Sequence, residues 1–136
     1  MFQKLIIYYL QMTTRLLLVL KKWALPILVV YALALAVFSL IRLSDIPSLG
    51  FSFDDKIYHF VAYFIFTCIA YNFFRQTKLT QSLLIASVSV TIYGIIIEVL
   101  QLAMTTYRTL DVYDIIANTL GALVSALVLQ FLNNSK

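Results

Sequence analysis

Charge is what this chain has least of. Asp, Glu, Lys and Arg make up 12% of its 136 residues, against about 25% in a soluble domain. With 62% hydrophobic residues and a mean hydropathy of +0.95, it has too little polar surface to cover a water-facing fold. The composition is that of an integral membrane protein, short enough for one domain. The single cysteine, Cys68, excludes an internal disulfide, and its apolar surroundings read as packing. The single histidine, His59, argues against zinc, which recruits several nitrogen or sulfur ligands, so no metal and no cofactor are expected. With three glycines and two prolines, the chain has no glycine-rich phosphate loop and no low-complexity tract.

The charges that are present fall at the ends of apolar runs. Met1–Leu20 is broken by Gln3, Lys4, Gln11, Thr13, Thr14 and Arg15, and Arg15 would sit in mid-membrane if this stretch crossed. Residues 1–22 therefore read as an amphipathic segment lying in the headgroup region or extending the first span, and residues 23–136 as the membrane domain. Trp23–Leu43 is the first span, with Pro26 harmless in its first turn and Trp23 as an interface anchor. Ala34-Leu35-Ala36 imitates a cleavage site, but the hydrophobic run continues past it, as in a retained anchor. Ile57–Phe74, Leu83–Met104 and Ile115–Leu132 follow, joined by the basic loop Arg75-Gln76-Thr77-Lys78 and the polar loop Thr105–Val112. A span needs about 20 apolar residues, so the expected fold class is all-α, a four-helix transmembrane bundle with an N-terminal interfacial helix.

Orientation follows from the basic residues. Lys4, Arg15, Lys21, Lys22, Arg75, Lys78 and Lys136 share one side, while Arg42, Lys56 and Arg108 share the other with Asp45, Asp54, Asp55, Asp111 and Asp114. The positive-inside rule puts both termini in the cytoplasm and both acidic loops outside. The net charge of +4 is thus explained by topology, and nucleic acid is not an expected partner.

On that topology the polar residues inside the spans gather at the outer face. Asp55, His59 and Tyr63 are spaced by four and share a helix face. Gln101 and Glu98 lie about 5 and 9 Å below the outer end of their span, and Asn118 lies about 6 Å below Asp114. Asp55, Asp114 and Arg108 form an expected rim, His59, Gln101 and Asn118 a middle layer, and Tyr63 and Glu98 a floor. Gly94 and Gly121 allow close helix approach beneath it. Ser87, Ser89 and Ser125 lie toward the opposite half, which speaks against serine-type catalysis. His59 and Glu98 are the candidate acid/base pair. Asp55, Lys56, Tyr63, Gln101, Arg108, Asp111, Asp114 and Asn118 are the candidate ligand-binding residues, with Lys56 and Arg108 suited to a phosphate or glycosyl headgroup.

Three stretches carry a resemblance. They are Asp55-Lys56-Ile57-Tyr58-His59-Phe60-Val61-Ala62-Tyr63, then Glu98-Val99-Leu100-Gln101 with Arg108, and Asp111-Val112-Tyr113-Asp114-Ile115-Ile116-Ala117-Asn118-Thr119-Leu120-Gly121. In order and spacing the chain resembles the VanZ-like family of small bacterial membrane proteins, whose namesake accompanies teicoplanin resistance. Val124-Ser125 departs from the glycine-containing step of that pattern. The resemblance implies a multi-span protein of the bacterial cytoplasmic membrane and a link to lipoglycopeptide susceptibility. The resulting expectation is an outward pocket that binds or modifies a lipid or a lipid-linked cell-wall ligand. Two rival classes remain beside it: a non-enzymatic scaffold whose polar residues only pack helices, and a small transporter using Glu98 as a proton site. The last is disfavoured because the spans show no continuing polar path below Glu98.

Overall fold

The computed structural model describes residues 2–40, 54–77, 79–104 and 111–135, and all of its described secondary structure is helical. In chain order these are α1 (Phe2–Lys22), α2 (Ala24–Leu40), α3 (Asp54–Phe74), a 3-10 turn (Arg75–Thr77), α4 (Ser82–Met104) and α5 (Val112–Asn134). Three segments are long and apolar enough to cross a membrane: Asp54–Thr77, Ser82–Met104 and Val112–Asn134. Their outer faces carry aliphatic stripes at helical spacing, such as Ile57, Val61 and Ile65 on α3 and Leu84, Val88 and Ile92 on α4. Large apolar side chains facing outward along the whole length of a helix suit hydrocarbon, not water. This is a membrane protein.

The first expected span, Trp23–Leu43, is described only as α2, which at 17 residues is shorter than the other three. Trp23 forms a turn between α1 and α2, just after the basic pair Lys21-Lys22. α1 exposes Leu5, Ile6, Tyr8, Tyr9, Met12 and Leu18 and touches little besides α2.

α3 and α5 share the most extensive interface, with α4 packed against both. That closeness depends on Gly121, where a Cβ would run into the Phe60 carbonyl of α3 and come within 3.1 Å of the Phe64 nitrogen. Small residues at a crossing let backbones approach in a membrane, where burial supplies little drive for association. The buried cluster beneath the polar end is Tyr63, Phe66, Ala70, Ala86, Val90 and Ala122. Phe66 meets the Tyr93 ring edge-on at 5.2 Å and the Tyr63 ring at 6.2 Å.

α2 is apolar on every side and has a single buried residue, Ala24. Polar contacts strap it to the other helices. Tyr31 Oη donates to the Ala62 carbonyl at 2.9 Å, Tyr93 Oη donates to the Ala32 carbonyl, and Gln101 Nε2 donates to the Ser39 carbonyl at 2.8 Å.

Candidate functional site

α3 and α5 start, and α4 ends, at the same end of the bundle, so three helices deliver polar side chains to one place. α5 begins there because Asp111 caps it. The Asp111 backbone is extended (φ −102°, ψ 105°) and its Oδ1 accepts the Tyr113 amide hydrogen at 2.8 Å. An aspartate at this position satisfies an orphan amide and suits the positive end of the helix dipole.

Lys56 sits at the centre of the rim. Its Nζ lies 2.6 Å from Asp111 Oδ2, 2.6 Å from Asp114 Oδ1 and 3.4 Å from Asp55 Oδ2. The Asp114 contact is an ion pair by distance, although its approach angle falls outside hydrogen-bond geometry. Asp114 is only 4% exposed, and a buried carboxylate persists only when paired. The hydrogen bond from Lys56 holds the Asp111 carboxyl below the usual carboxylate range, helped by the Tyr113 amide and opposed by partial burial.

His59 joins this rim to the interior. Its Nε2 lies 3.7 Å from Asp114 Oδ2 and 3.8 Å from Asp55 Oδ1, while Nδ1 is 3.0 Å from Asn118 Oδ1 and 4.0 Å from Glu98 Oε1. With Asn118 Oδ1 as acceptor, Nδ1 carries the hydrogen, and Nε2 faces the two aspartates. Glu98 and Asn118 are 1% and 2% exposed. Asn118 Nδ2 and Tyr63 Oη have no hydrogen-bond partner among the described residues. Buried polar atoms of that kind are rare, because an unmet donor retains its desolvation cost.

The structure therefore brings Asp55, Lys56, His59, Glu98, Asp111, Asp114 and Asn118 into one cluster, with Tyr63 below it against Gly94. Gln101 is buried at the same end, but its amide reaches the Ser39 carbonyl of α2. Arg108 lies outside the described residues. Asp55, His59 and Asp114 offer three ligand atoms within 4.8 Å of one another. Sequence reasoning passed over Thr67 and placed Ser125 only in the opposite half, and both are fully buried below the cluster. Thr67 Oγ1 donates to the Tyr63 carbonyl at 2.9 Å and Ser125 Oγ lies 3.3 Å from Cys68 Sγ. Single hydroxyls inside apolar runs give no periodic signal.

This cluster can bind a polar group, accept or release a proton through His59 and Glu98, and hold a cation through Asp55 and Asp114. A protein of the fission yeast Schizosaccharomyces pombe, described as uncharacterized, is 33% identical to this chain over 82 residues, covering 60% of this chain and 50% of its own. The chain thus spans about half the length of that curated relative. No solved structure matches it. The model of the family described as VanZ/LLP1 matches residues 7–133, taking in the three apolar spans up to Asn133 and every residue of the polar end. On that match, the chain belongs to the VanZ/LLP1 family.

Proposed function

We propose that this protein binds or modifies a lipid-linked ligand of the cell envelope in a pocket at the polar end of the bundle. The observation that carries the reading is His59. It leaves α3, lies 3.0 Å from Asn118 of α5 and stands beside Glu98 of α4. An ionisable group within a span carries an insertion cost, up to about 2.5–3.5 kcal/mol for Asp, Lys or Arg at a helix centre, that packing by the small residues Gly121 and Ala122 does not incur. Within the pocket His59 and Glu98 handle the proton. Asp55, Lys56, Tyr63, Asp111, Asp114 and Asn118 contact the ligand, Arg108 is counted with them on sequence alone, and Gln101 holds the α2 wall.

In this reading α2, continued as the apolar run to Leu43, makes a fourth span in the membrane domain 23–136. Residues 1–22 lie along the interface, where Lys4, Lys21 and Lys22 meet the headgroups. The excess of basic residues on the side away from the site supports cytoplasmic termini and a pocket facing outward, in a bacterium across the cytoplasmic membrane. The resemblance to a teicoplanin-associated family supports an effect on lipoglycopeptide susceptibility. A relative in a fission yeast favours a ligand shared by different membranes, such as a phospholipid headgroup, over one confined to a bacterial wall.

Mass spectrometry of lipids that co-purify with the full chain tests the reading directly. A specific lipid class should be retained by the native protein and lost from Glu98→Gln and His59→Ala at unchanged membrane abundance. Any teicoplanin phenotype should fall with it. Losses that instead track abundance or melting temperature would favour the scaffold reading, in which the polar residues only pack helices.

A further inference from the structure

We propose a second binding site at the opposite end of the bundle, a cleft between α4 and α5 that seats an anionic phospholipid. It shares no residue with the pocket of His59 and Glu98. α3 and α5 end there, and α4 begins there. The cleft has a volume of about 560 Å³, inside the range of about 300–1,000 Å³ usual for small-molecule sites.

Its lining changes character with depth. Tyr71 in the last turn of α3, Thr80 and Gln81 just before α4, and Gln130 near the end of α5 supply polar atoms at the mouth. Leu123 and Ala126 line it further in, about 16 and 12 Å along α5 from Asn134 at 1.5 Å per residue. Leu84 and Leu123 are 57% and 51% exposed, so the cleft opens sideways, where the acyl chains of a bilayer lie. A polar mouth above an apolar, laterally open wall matches an amphiphile and not a free ion.

The sign of the head follows from the charges at this end. Arg75 stands exposed in the 3-10 turn, on the same connection as Thr80 and Gln81. Lys78, outside the described residues, adds a cation two positions before Thr80 in the sequence. The acids of the described residues, Asp54, Asp55, Glu98, Asp111 and Asp114, all belong to the other end of the bundle. A phosphate at the mouth therefore meets cations and no carboxylate, and basic clefts between membrane helices favour anionic heads.

The mouth also offers hydrogens to donate. Tyr71 Oη accepts from Asn133 Nδ2 at 2.6 Å, which leaves the phenol hydrogen for a ligand. The side-chain amides of Gln81 and Gln130 carry two N–H groups each. Ser87 is the exception, because its hydroxyl hydrogen goes to the Leu83 carbonyl at 2.9 Å. The first-turn amides of α4 at Ser82 and Leu83 favour the same sign without being needed to set it.

The experiment is a titration of the full chain in detergent, read by native mass spectrometry. Phosphatidylglycerol is compared with phosphatidylcholine of the same chains, since both carry one phosphate and only the first has a net negative charge. The expected result is phosphatidylglycerol bound on the order of tenfold more tightly. Ala126→Phe, which fills the cleft without touching a charge, should erase the preference. Gln130→Leu, an exposed change that should leave the fold intact, and Arg75→Gln should each weaken it. Lys21 and Lys22 close α1, which touches little besides α2, so changing both to Gln should leave the preference standing. Glu98→Gln should leave it standing too, which reads this cleft apart from the polar pocket. Glycerol phosphate, the same head without chains, should not compete.

Equal affinity for the two lipids would overturn the proposal, as would a preference that survives both Ala126→Phe and Gln130→Leu. A preference that falls with the lysine pair and not with Arg75→Gln would overturn it in favour of general attraction to the basic surface. Competition by glycerol phosphate at the concentration of the lipid would overturn it in favour of a soluble phosphate.

Discussion

Gly121 of α5 lies so close to the Phe60 carbonyl of α3 that a methyl group there would enter the space of the oxygen. The obstacle is backbone, so neither helix can yield without separating the pair that positions His59 against Asn118. Gly121→Ala is expected to cost about 1–3 kcal/mol, as overpacking does in a tight core. Gly94→Ala meets a softer neighbour, the Tyr63 ring at 2.8 Å, which can tilt. Thermal unfolding in detergent should rank Gly121→Ala well below Gly94→Ala, and the reverse order would mean that the α3–α5 crossing is looser than described.

Lys56 and Asp114 form the deepest ion pair of the rim. Removing the lysine alone, as Lys56→Met, leaves a carboxylate that is 6% exposed in its side chain without its nearest cation. Breaking a buried pair costs about 3–5 kcal/mol, and the low end applies because Lys56 itself is a quarter exposed. Lys56→Met with Asp114→Asn should recover most of the loss, since the double change removes both charges. Unfolding midpoints of the two single variants and the double variant complete the cycle, and additive losses would deny the coupling.

Much of this end could be read from residue spacing, and the reason is physical. Asp55, His59, Glu98, Asp114 and Asn118 are costly in hydrocarbon, so their faces had to turn toward one another, and helical periodicity alone identifies those faces. What spacing does not contain is the rotation of each helix about its own axis relative to its neighbours. Lys56, suited by charge to a headgroup, lies against Asp55, Asp111 and Asp114, an arrangement set by how the capped start of α5 sits against α3. Glu98 and Gln101 do share an inward face, but that face spans two neighbours, so Glu98 meets His59 and Gln101 meets α2. Thr67 and Ser125, buried below Tyr63, carry polar atoms past Glu98 into the lower half of the bundle. The first span was drawn to Leu43, and its described helix runs to Leu40.

Asp111 both caps α5 and bonds Lys56. Its carboxyl is held below the usual range in the folded protein, so its charge contributes stability that is complete above the ordinary carboxylate range. That contribution disappears as pH falls through and below the lowered value. Asp111→Asn keeps a capping oxygen and loses the charge, so it should melt lower than the wild type at neutral pH and converge with it in acid. Asp111→Ala loses the cap as well, at a cost of about 1 kcal/mol, and should stay lower throughout. Melting curves of the three proteins over a pH series distinguish cap from charge, and parallel curves for wild type and Asp111→Asn would show that the Lys56 contact contributes nothing.

Gln101 separates wall from pocket. Its amide donates to the Ser39 carbonyl at 2.8 Å, on the helix that Tyr31 and Tyr93 also tether through backbone carbonyls. If the described bond is its main service, Gln101→Leu should loosen α2 by about 0.6–1 kcal/mol, the usual worth of an interhelical polar contact in a membrane, and Tyr93→Phe should do the same. Neither should abolish lipid retention by the pocket, because the Tyr93 hydroxyl and the Gln101 amide bond backbone carbonyls of α2. Hydrogen exchange over Ala24–Leu40 would report the loosening, and mass spectrometry of co-purifying lipids would report the retention. A Gln101→Leu variant that keeps α2 protected while losing ligand would return this residue to the middle layer of the pocket that its helical spacing first suggested.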